Sequence, residues 1–430
     1  MKLSPTQLNL FQSTEPVGHK LSTNALSSQN RVQRWANFIA GYSIEFVESC
    51  LEKVEPSQGL VIDPFLGCGS TLVAAKNLGF RGVGYDRHPV FSSLAKSKFE
   101  NYTVEDIKNV KENFLTASAS LSWSPDAEKF LRKLFRDSDL SCISRASHYV
   151  KYCPDERIKF LAIAYFLKAC EAACGSQTDG IYKAPTSRKK SIPFDEAIDK
   201  TESLFLDDIQ SQWYRQHWIK QPQQICINES SVKMSYLDND SAISCITSPP
   251  YLNNFDYAEM TRMHLYLLSW AGSWRDISTL VRNHLITNTT TALKDKKRSD
   301  FQNKCKKFIV QPLLQGLEPI VAELQEVQQM RAGEKKYHFL IYPYYAEISK
   351  VLQEIYRILK KNGTINWIVA DAALYGVHIK THLHTAEIMH STGFKNITIN
   401  YIRKRGHRWI LNKREGTKEG LGEYHISAQK

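Results

Sequence analysis

The sequence predicts an α/β protein built on a doubly wound, mostly parallel sheet with helices on both faces, plus a helical insertion. Three observations predict it. The apolar run Leu60-Val61-Ile62 feeds a glycine-bearing loop, a helix and a second strand ending at Asp86. Two more short runs, Ile225-Cys226-Ile227 and Ile243-Ser244-Cys245-Ile246, have the character of strands covered on both faces. An amphipathic segment then stops at Gly363 and leads into the apolar stretch Thr364 to Val369.

Taken in order, residues 1–29 are polar and rich in Ser, Gln, Thr and Asn, which predicts a flexible, loosely ordered arm. Asn30 to Val54 has helical apolar spacing, with Trp35, Phe38, Ile39, Phe46, Val47 and Leu51 facing inward. After the first strand, Leu72 to Leu78 continues as a helix closed by Gly79, and Gly82 to Tyr85 forms the second strand. Residues 101–222 read as a mainly helical insertion, with helices at Asp126 to Phe135 and Asp155 to Cys174 and a loop from Gly175 to Pro193. The sheet resumes over 223–271. A basic helical insertion fills 272–336. Pro343 to Lys361 is a helix with Ile348, Val351, Leu352, Ile355 and Leu359 on one face and Lys360 and Lys361 in its last turn. Lys395 to Ile402 is the final strand expected, followed by a basic tail over 403–430. The core domain is thus assembled from 30–100, 223–271 and 337–402.

The composition suits a folded protein: 430 residues, 42% hydrophobic and 23% charged. No apolar run is long enough to span a bilayer, and Met1 to Pro5 lacks the apolar stretch of a secretory signal, which predicts a cytoplasmic location. The nine cysteines are scattered without a Cys-x-x-Cys pair and read as reduced core thiols. His378, His382, His384 and His390 lie close together with no acidic or Cys ligand at suitable spacing, so they read as structural, and no metal is assigned.

The formal charge of +12 points to a polyanionic partner. Two clusters carry it: Lys294, Lys296, Lys297, Arg298, Lys304, Lys306 and Lys307, and then Arg403, Lys404, Arg405, Arg408, Lys413 and Arg414 with His407 and Trp409 interleaved.

The loop Asp63-Pro64-Phe65-Leu66-Gly67-Cys68-Gly69-Ser70-Thr71 joins the first strand to its helix. Gly67 and Gly69 let the backbone turn tightly and approach a ligand. A dinucleotide fingerprint requires a third glycine where Leu72 stands, and a phosphate loop requires Gly-Lys-Ser/Thr where Gly69-Ser70-Thr71 stands. An acid at the strand end suits a cationic ligand instead. S-adenosylmethionine carries a sulfonium and an ammonium; Asp63 is placed to accept from the ammonium, and Asp86 from both ribose hydroxyls.

The second motif, Thr247-Ser248-Pro249-Pro250-Tyr251, follows a buried strand. The proline pair cannot continue a ladder and fixes a rigid loop. Methylating an exocyclic base amine needs this kind of loop, because that nitrogen's lone pair is delocalised into the ring. Acceptors at the Ser248 hydroxyl and the Pro249 carbonyl draw the nitrogen towards tetrahedral geometry, and Tyr251 offers a stacking face to a base swung out of its helix.

These residues resemble the amino-methyltransferases of DNA, whose signatures are Asp-Pro-Phe-x-Gly-x-Gly and (Ser/Asp/Asn)-Pro-Pro-Tyr. Gly84-Tyr85-Asp86-Arg87-His88-Pro89 is similar to the family's ribose-binding strand end, and Arg357 to Gly363 to its helix–turn before the fifth strand. The resemblance implies a methyltransferase-type sheet and a bacterial modification enzyme that uses S-adenosylmethionine. It implies double-stranded DNA as substrate, a nucleoid-associated location and a cognate restriction endonuclease as partner. It implies cofactor contacts at Asp63, Pro64, Phe65, Gly67, Gly69, Thr71, Asp86 and Glu229, and catalytic roles for Ser248, Pro249, Pro250 and Tyr251. The insertion at 101–222 is where the family often places target recognition. The family's Ser form goes mainly with cytosine N4 and its Asp form mainly with adenine N6, so Ser248 favours cytosine N4. The order of the motifs, cofactor loop first, is commoner among adenine enzymes and keeps adenine N6 open, with RNA base methylation and a non-catalytic nucleic-acid-binding role behind it. Cytosine C5 chemistry requires a Pro-Cys dipeptide that this chain lacks.

Overall fold

The structure, a computed structural model, describes residues 29–36, 41–178, 183–293, 299–330, 335–405 and 421–430. Residues 1–28 of the arm expected at 1–29, Phe38 and Ile39, Lys294 and Lys296 to Arg298, and His407, Arg408, Trp409, Lys413 and Arg414 lie outside the described residues.

A seven-stranded sheet organises the chain. In sequence its strands are β1 (Leu60–Asp63) and β2 (Gly82–Tyr85); then, after a short hairpin of β3 (Ser176–Thr178) and β4 (Lys183–Arg188), β5 (Ile225–Ile227), β6 (Ala242–Thr247) and β7 (Leu359–Ala370). A second small hairpin, β8 (Ala372–Leu374) and β9 (Val377–Ile379), precedes β10 (Lys395–Arg405) and β11 (Leu421–Gln429). Across the sheet the order is β10-β11-β7-β6-β1-β2-β5. The five strands from β5 to β7 are mutually parallel, and β11 runs antiparallel to both its neighbours.

Residues one apart on a strand face opposite sides of the sheet. Val61, Ile246 and Ile368 accordingly belong to one core, with the helices Ser70–Asn77, Pro89–Phe99 and Glu156–Ala173. Ile62, Cys245 and Trp367 belong to the other, with the helices His338–Ile358 and Thr381–Thr392. Both faces are covered, as the unbroken apolar runs predict. The insertion is helical, with Glu156–Ala173 capped at its start by Asp155, whose side chain accepts from the Ile158 amide.

Four expectations change. The helix foreseen over Asn30 to Val54 is split into a 3-10 turn at Gln33–Trp35 and a helix at Ile44–Leu51 that Ser43 caps. The Trp35 ring is fully buried, stacked 4.4 Å from Phe205, and its Nε1 donates to Asp208 Oδ2 at 2.8 Å; tertiary anchoring sets the break. The loop foreseen over Gly175 to Pro193 contains the β3–β4 hairpin. The helix foreseen to reach Lys361 ends at Ile358, because Asp240 and Ser241 donate their amides to the carbonyls of Arg357 and Ile358 and satisfy the helix end there. The basic tail foreseen over 403–430 is instead part of the sheet at its end: β11 is inserted between β7 and β10, pairing Glu423 with Ala370 and Tyr424 with Val369. Lys395 to Ile402 is therefore not the last strand.

Candidate active site

The chain runs β1, β2, β5 to one side of the sheet, then returns to β6 and β7 on the other. Crevices outside the carboxyl ends of strands form at such a reversal, which here falls between β1 and β6. These two strands are parallel neighbours, with Ile62 beside Cys245, and each is followed by one of the two motifs. The motifs meet: Pro64, Phe65 and Gly67 from the first loop and Ser248 and Pro250 from the second line one cavity of about 610 Å3, counting space open to solvent. A volume of this order accommodates a small-molecule ligand.

Two carboxylates share the cavity wall. Asp86 leaves β2 and Glu229 follows β5, strands paired at Tyr85 and Ile227. Asp86 Oδ2 accepts from the Gly67 amide and Oδ1 from the His88 amide, both at 2.7 Å, which holds the carboxyl group in place and leaves acceptor positions for ligand hydroxyls. Burial pushes its pKa up to about 7, with the two amide hydrogen bonds opposing. Gly67 and Gly69 both lie in the left-handed region, at φ 53° and 91°, where a side chain is strained.

Asp63 does not line the cavity. It is 1% exposed, and its four acceptor positions face protein donors: the Phe65 amide (3.0 Å) and Thr247 Oγ1 (2.6 Å) at Oδ1, and Thr71 Oγ1 (2.5 Å) and Tyr42 Oη (3.1 Å) at Oδ2. The expectation that Asp63 takes a ligand ammonium is therefore corrected: its carboxylate braces both loops from below. Thr71 serves the same brace, and Gly69 shapes the turn. Neither lines the cavity, nor do Pro249 and Tyr251. Tyr251 Oη instead lies 3.2 Å from Ser248 Oγ and 3.0 Å from Glu423 Oε1, and the Arg405 guanidinium sits 5.0 Å from its ring centre.

The remaining lining includes residues without an assigned role, and Tyr257, which with Asn253, Asn254 and Asp256 follows the proline loop and reads from the sequence as lining a base pocket or capping a helix. These include His88, Phe91 and Tyr257, together with His284, Leu285 and Ile286. His88 accepts from the Val90 amide at Nδ1, so Nε2 carries the proton and donates to Thr261 Oγ1 at 2.8 Å; burial lowers its pKa to about 3 and keeps it neutral. The Asp86-Arg87-His88-Pro89 stretch carried a signal for His88. The segment at 284–286 had none, because it comes from the second insertion. Of the residues after the proline loop, Tyr257 reaches the cavity, whereas Asp256 caps the helix Tyr257–Met260 and receives Arg282 and Thr291. Asp371, just beyond β7, supplies the acidic partner that the sequence reading found missing from the histidine group: His378 Nε2 and His382 Nδ1 lie 2.8 and 2.6 Å from its oxygens.

The comparisons with known proteins agree with this geometry. A family model described as DNA methylase matches residues 12–97, which include the first loop and Asp86. The Type II methyltransferase M.BsoBI of Geobacillus stearothermophilus is 23% identical over 448 residues, covering 94% of this chain and 87% of its own. The Type II methyltransferases M.AvaI of Nostoc sp. and of Anabaena variabilis are each 23% identical over 407 residues, covering 88% of this chain and 82% of theirs. Over residues 12–97 the chain is thus similar to the DNA methylase model, and along most of its length to Type II methyltransferases.

S-adenosylmethionine fits the groups that line this cavity. Asp86 has two fixed amide partners and free acceptor capacity for ribose hydroxyls, Glu229 stands beside it, and Phe65, Phe91 and Ile286 supply apolar surface for a base. None of the described helices is long and apolar enough to cross a membrane.

Proposed function

We propose that the protein is a site-specific DNA methyltransferase that methylates the exocyclic N4 amine of a cytosine flipped out of duplex DNA. The observation that carries this reading is the single cavity shared by Gly67 and Asp86 on one side and Ser248 and Pro250 on the other. When bound, S-adenosylmethionine supplies an electrophilic methyl group. Asp86 holds the ribose hydroxyls, with Glu229 beside the adenine. Gly67 and Gly69 keep the loop backbone close. Ser248 Oγ, which lines the cavity, accepts an amine hydrogen, which localises the nitrogen lone pair and aims it at the methyl carbon; Pro249, expected to take the second hydrogen through its carbonyl, lies behind the lining. Pro250 stiffens the loop, and Tyr251 backs the base. Orientation inside a water-poor cavity accounts for the rate, with no covalent enzyme intermediate. The helical insertion at 101–222 and the basic insertion at 272–336 face the DNA. The reading carries a cytoplasmic location at the nucleoid and, from the Type II designation of its relatives, a cognate restriction endonuclease.

Ser248 supports cytosine N4; the motif order, cofactor loop before proline loop, favours adenine N6 as the second reading. The deciding experiment incubates the protein with radiolabelled S-adenosylmethionine and, in separate arms, duplex DNA or transfer RNA, then digests the nucleic acid to nucleosides. Label in N4-methylcytosine is expected. Label in N6-methyladenine establishes the second reading, and label only in transfer RNA or in no nucleic acid refutes both.

A further inference from the structure

We propose that Glu423, brought in by the last strand, sets the direction of a hydrogen-bond chain that makes Ser248 an acceptor for the substrate amine. The proposal rests on the base-amine reading above. Glu423 is 3% exposed and sits opposite Ala370 in the β11–β7 ladder, beside the proline loop. Arg403 Nε donates to its Oε2 in an ion pair. An arginine offers donors only, and the paired carboxylate only acceptors. Tyr251 Oη, 3.0 Å from Oε1, must therefore give its one proton to Glu423. Its oxygen is left to accept, and Ser248 Oγ, 3.2 Å away, donates to it. Ser248 has a single proton as well. With that proton turned to Tyr251, the serine presents lone pairs to the cavity that it lines.

The opposite polarity would fail. A Ser248 hydroxyl pointing into the cavity would meet an amine whose two N–H groups are also donors. Because each hydroxyl carries one proton, the group at the end of the chain decides the direction for all of it. Glu423 is thus a positioning residue that acts through Tyr251 and Ser248.

Glu423→Gln tests this directly. Arg403 can face only the amide oxygen, which turns the NH2 group towards Tyr251 and reverses the chain. Tyr251→Phe cuts the chain without altering the ring. Single-turnover methyl transfer to duplex DNA is measured for both variants and for the double variant, with donor affinity by calorimetry and thermal melting alongside. E423Q is expected to slow transfer by about 100-fold or more, in the range of losing one aligned transition-state hydrogen bond. Donor affinity should stay within about twofold of the unaltered protein, since Glu423 and Tyr251 do not line the cavity with Asp86. In the Y251F background E423Q should have no further effect, because the amide no longer reaches Ser248. Undiminished transfer in E423Q, or effects that multiply in the double variant, overturns the proposal. A loss explained by lower melting temperature and donor affinity together reduces Glu423 to a structural role and overturns it too. If the unaltered chain transfers no methyl group to DNA, the base-amine reading falls, and this proposal falls with it.

Discussion

Thr247 Oγ1 donates to Asp63 Oδ1 at 2.6 Å, joining the last residue of β6 to the last residue of β1. Both side chains are buried, at 0% and 1% exposure, so the bond lies beneath the cavity floor and fixes the two loops relative to each other. Burial pushes the Asp63 carboxyl up, and the surrounding hydroxyl and amide donors pull it down. Replacing Thr247 with Val keeps the shape and removes one donor from a buried acid. Urea denaturation should show a loss of about 1–3 kcal/mol, and methyl transfer should fall with it because the loops lose their common tie.

Asp86 should make both stability and donor binding depend on pH. Its folded pKa of about 7 lies above the ordinary 3.8, so the folded state holds the proton more tightly. That contribution to stability is fully present below about pH 4 and is lost as the pH rises through about 7. Asp86→Asn should abolish this slope, while its NH2 group, set against one of the two backbone amides that the carboxylate accepts, lowers stability at all pH values. Its donor affinity should collapse, since the amide presents one acceptor atom where the carboxylate presents two. In the parent, calorimetry should show donor affinity weakening as the pH falls below 7.

Asp208 anchors the short segment before the first helix. Its Oδ2 accepts from the Val32 amide and from Trp35 Nε1, each at 2.8 Å, and Arg34 pairs with Oδ1. Asp208→Ala leaves the buried Val32 and Trp35 donors unsatisfied while Arg34 keeps Asp207, a loss of about 1–3 kcal/mol. The segment also reaches the cofactor loop: Gln33 bridges Ser70 and Lys98, and Lys98 donates to the Cys68 carbonyl. Limited proteolysis should therefore cut near residues 29–36 in D208A, with weaker donor binding.

Gly69→Ala isolates the conformational role of the loop. A Cβ there would come 3.4 Å from Ala95 Cβ and the Phe99 ring, an ordinary contact, so the loss comes from φ 91°. The left-handed conformation costs a side-chain-bearing residue about 1–2 kcal/mol. Thermal melting should register that loss, and donor affinity should drop as the loop relaxes away from its turn.

The parallel strands and their two loops were legible in the residues because the signals are local. Leu60 to Ile62 and Ile243 to Ile246 are unbroken apolar runs, and each ends in residues that cannot extend a ladder. From these alone followed the sheet, the motif order, and the place of Gly67, Asp86, Ser248 and Pro250 in one crevice. What the local pattern could not carry was any pairing whose partner lies far along the chain. Nothing within Gly422-Glu423-Tyr424-His425 marks a strand; it becomes one because β7 and β10 both leave main-chain groups open to it. Asp63 reads as a ligand acid until Tyr42, Thr71 and Thr247 are seen to close around it, and His284 to Ile286 reach the cavity only once the second insertion folds back. Short-range periodicity and turn chemistry decide which segments form, whereas hydrogen-bond satisfaction across the folded sheet decides which side chains remain free to meet a ligand.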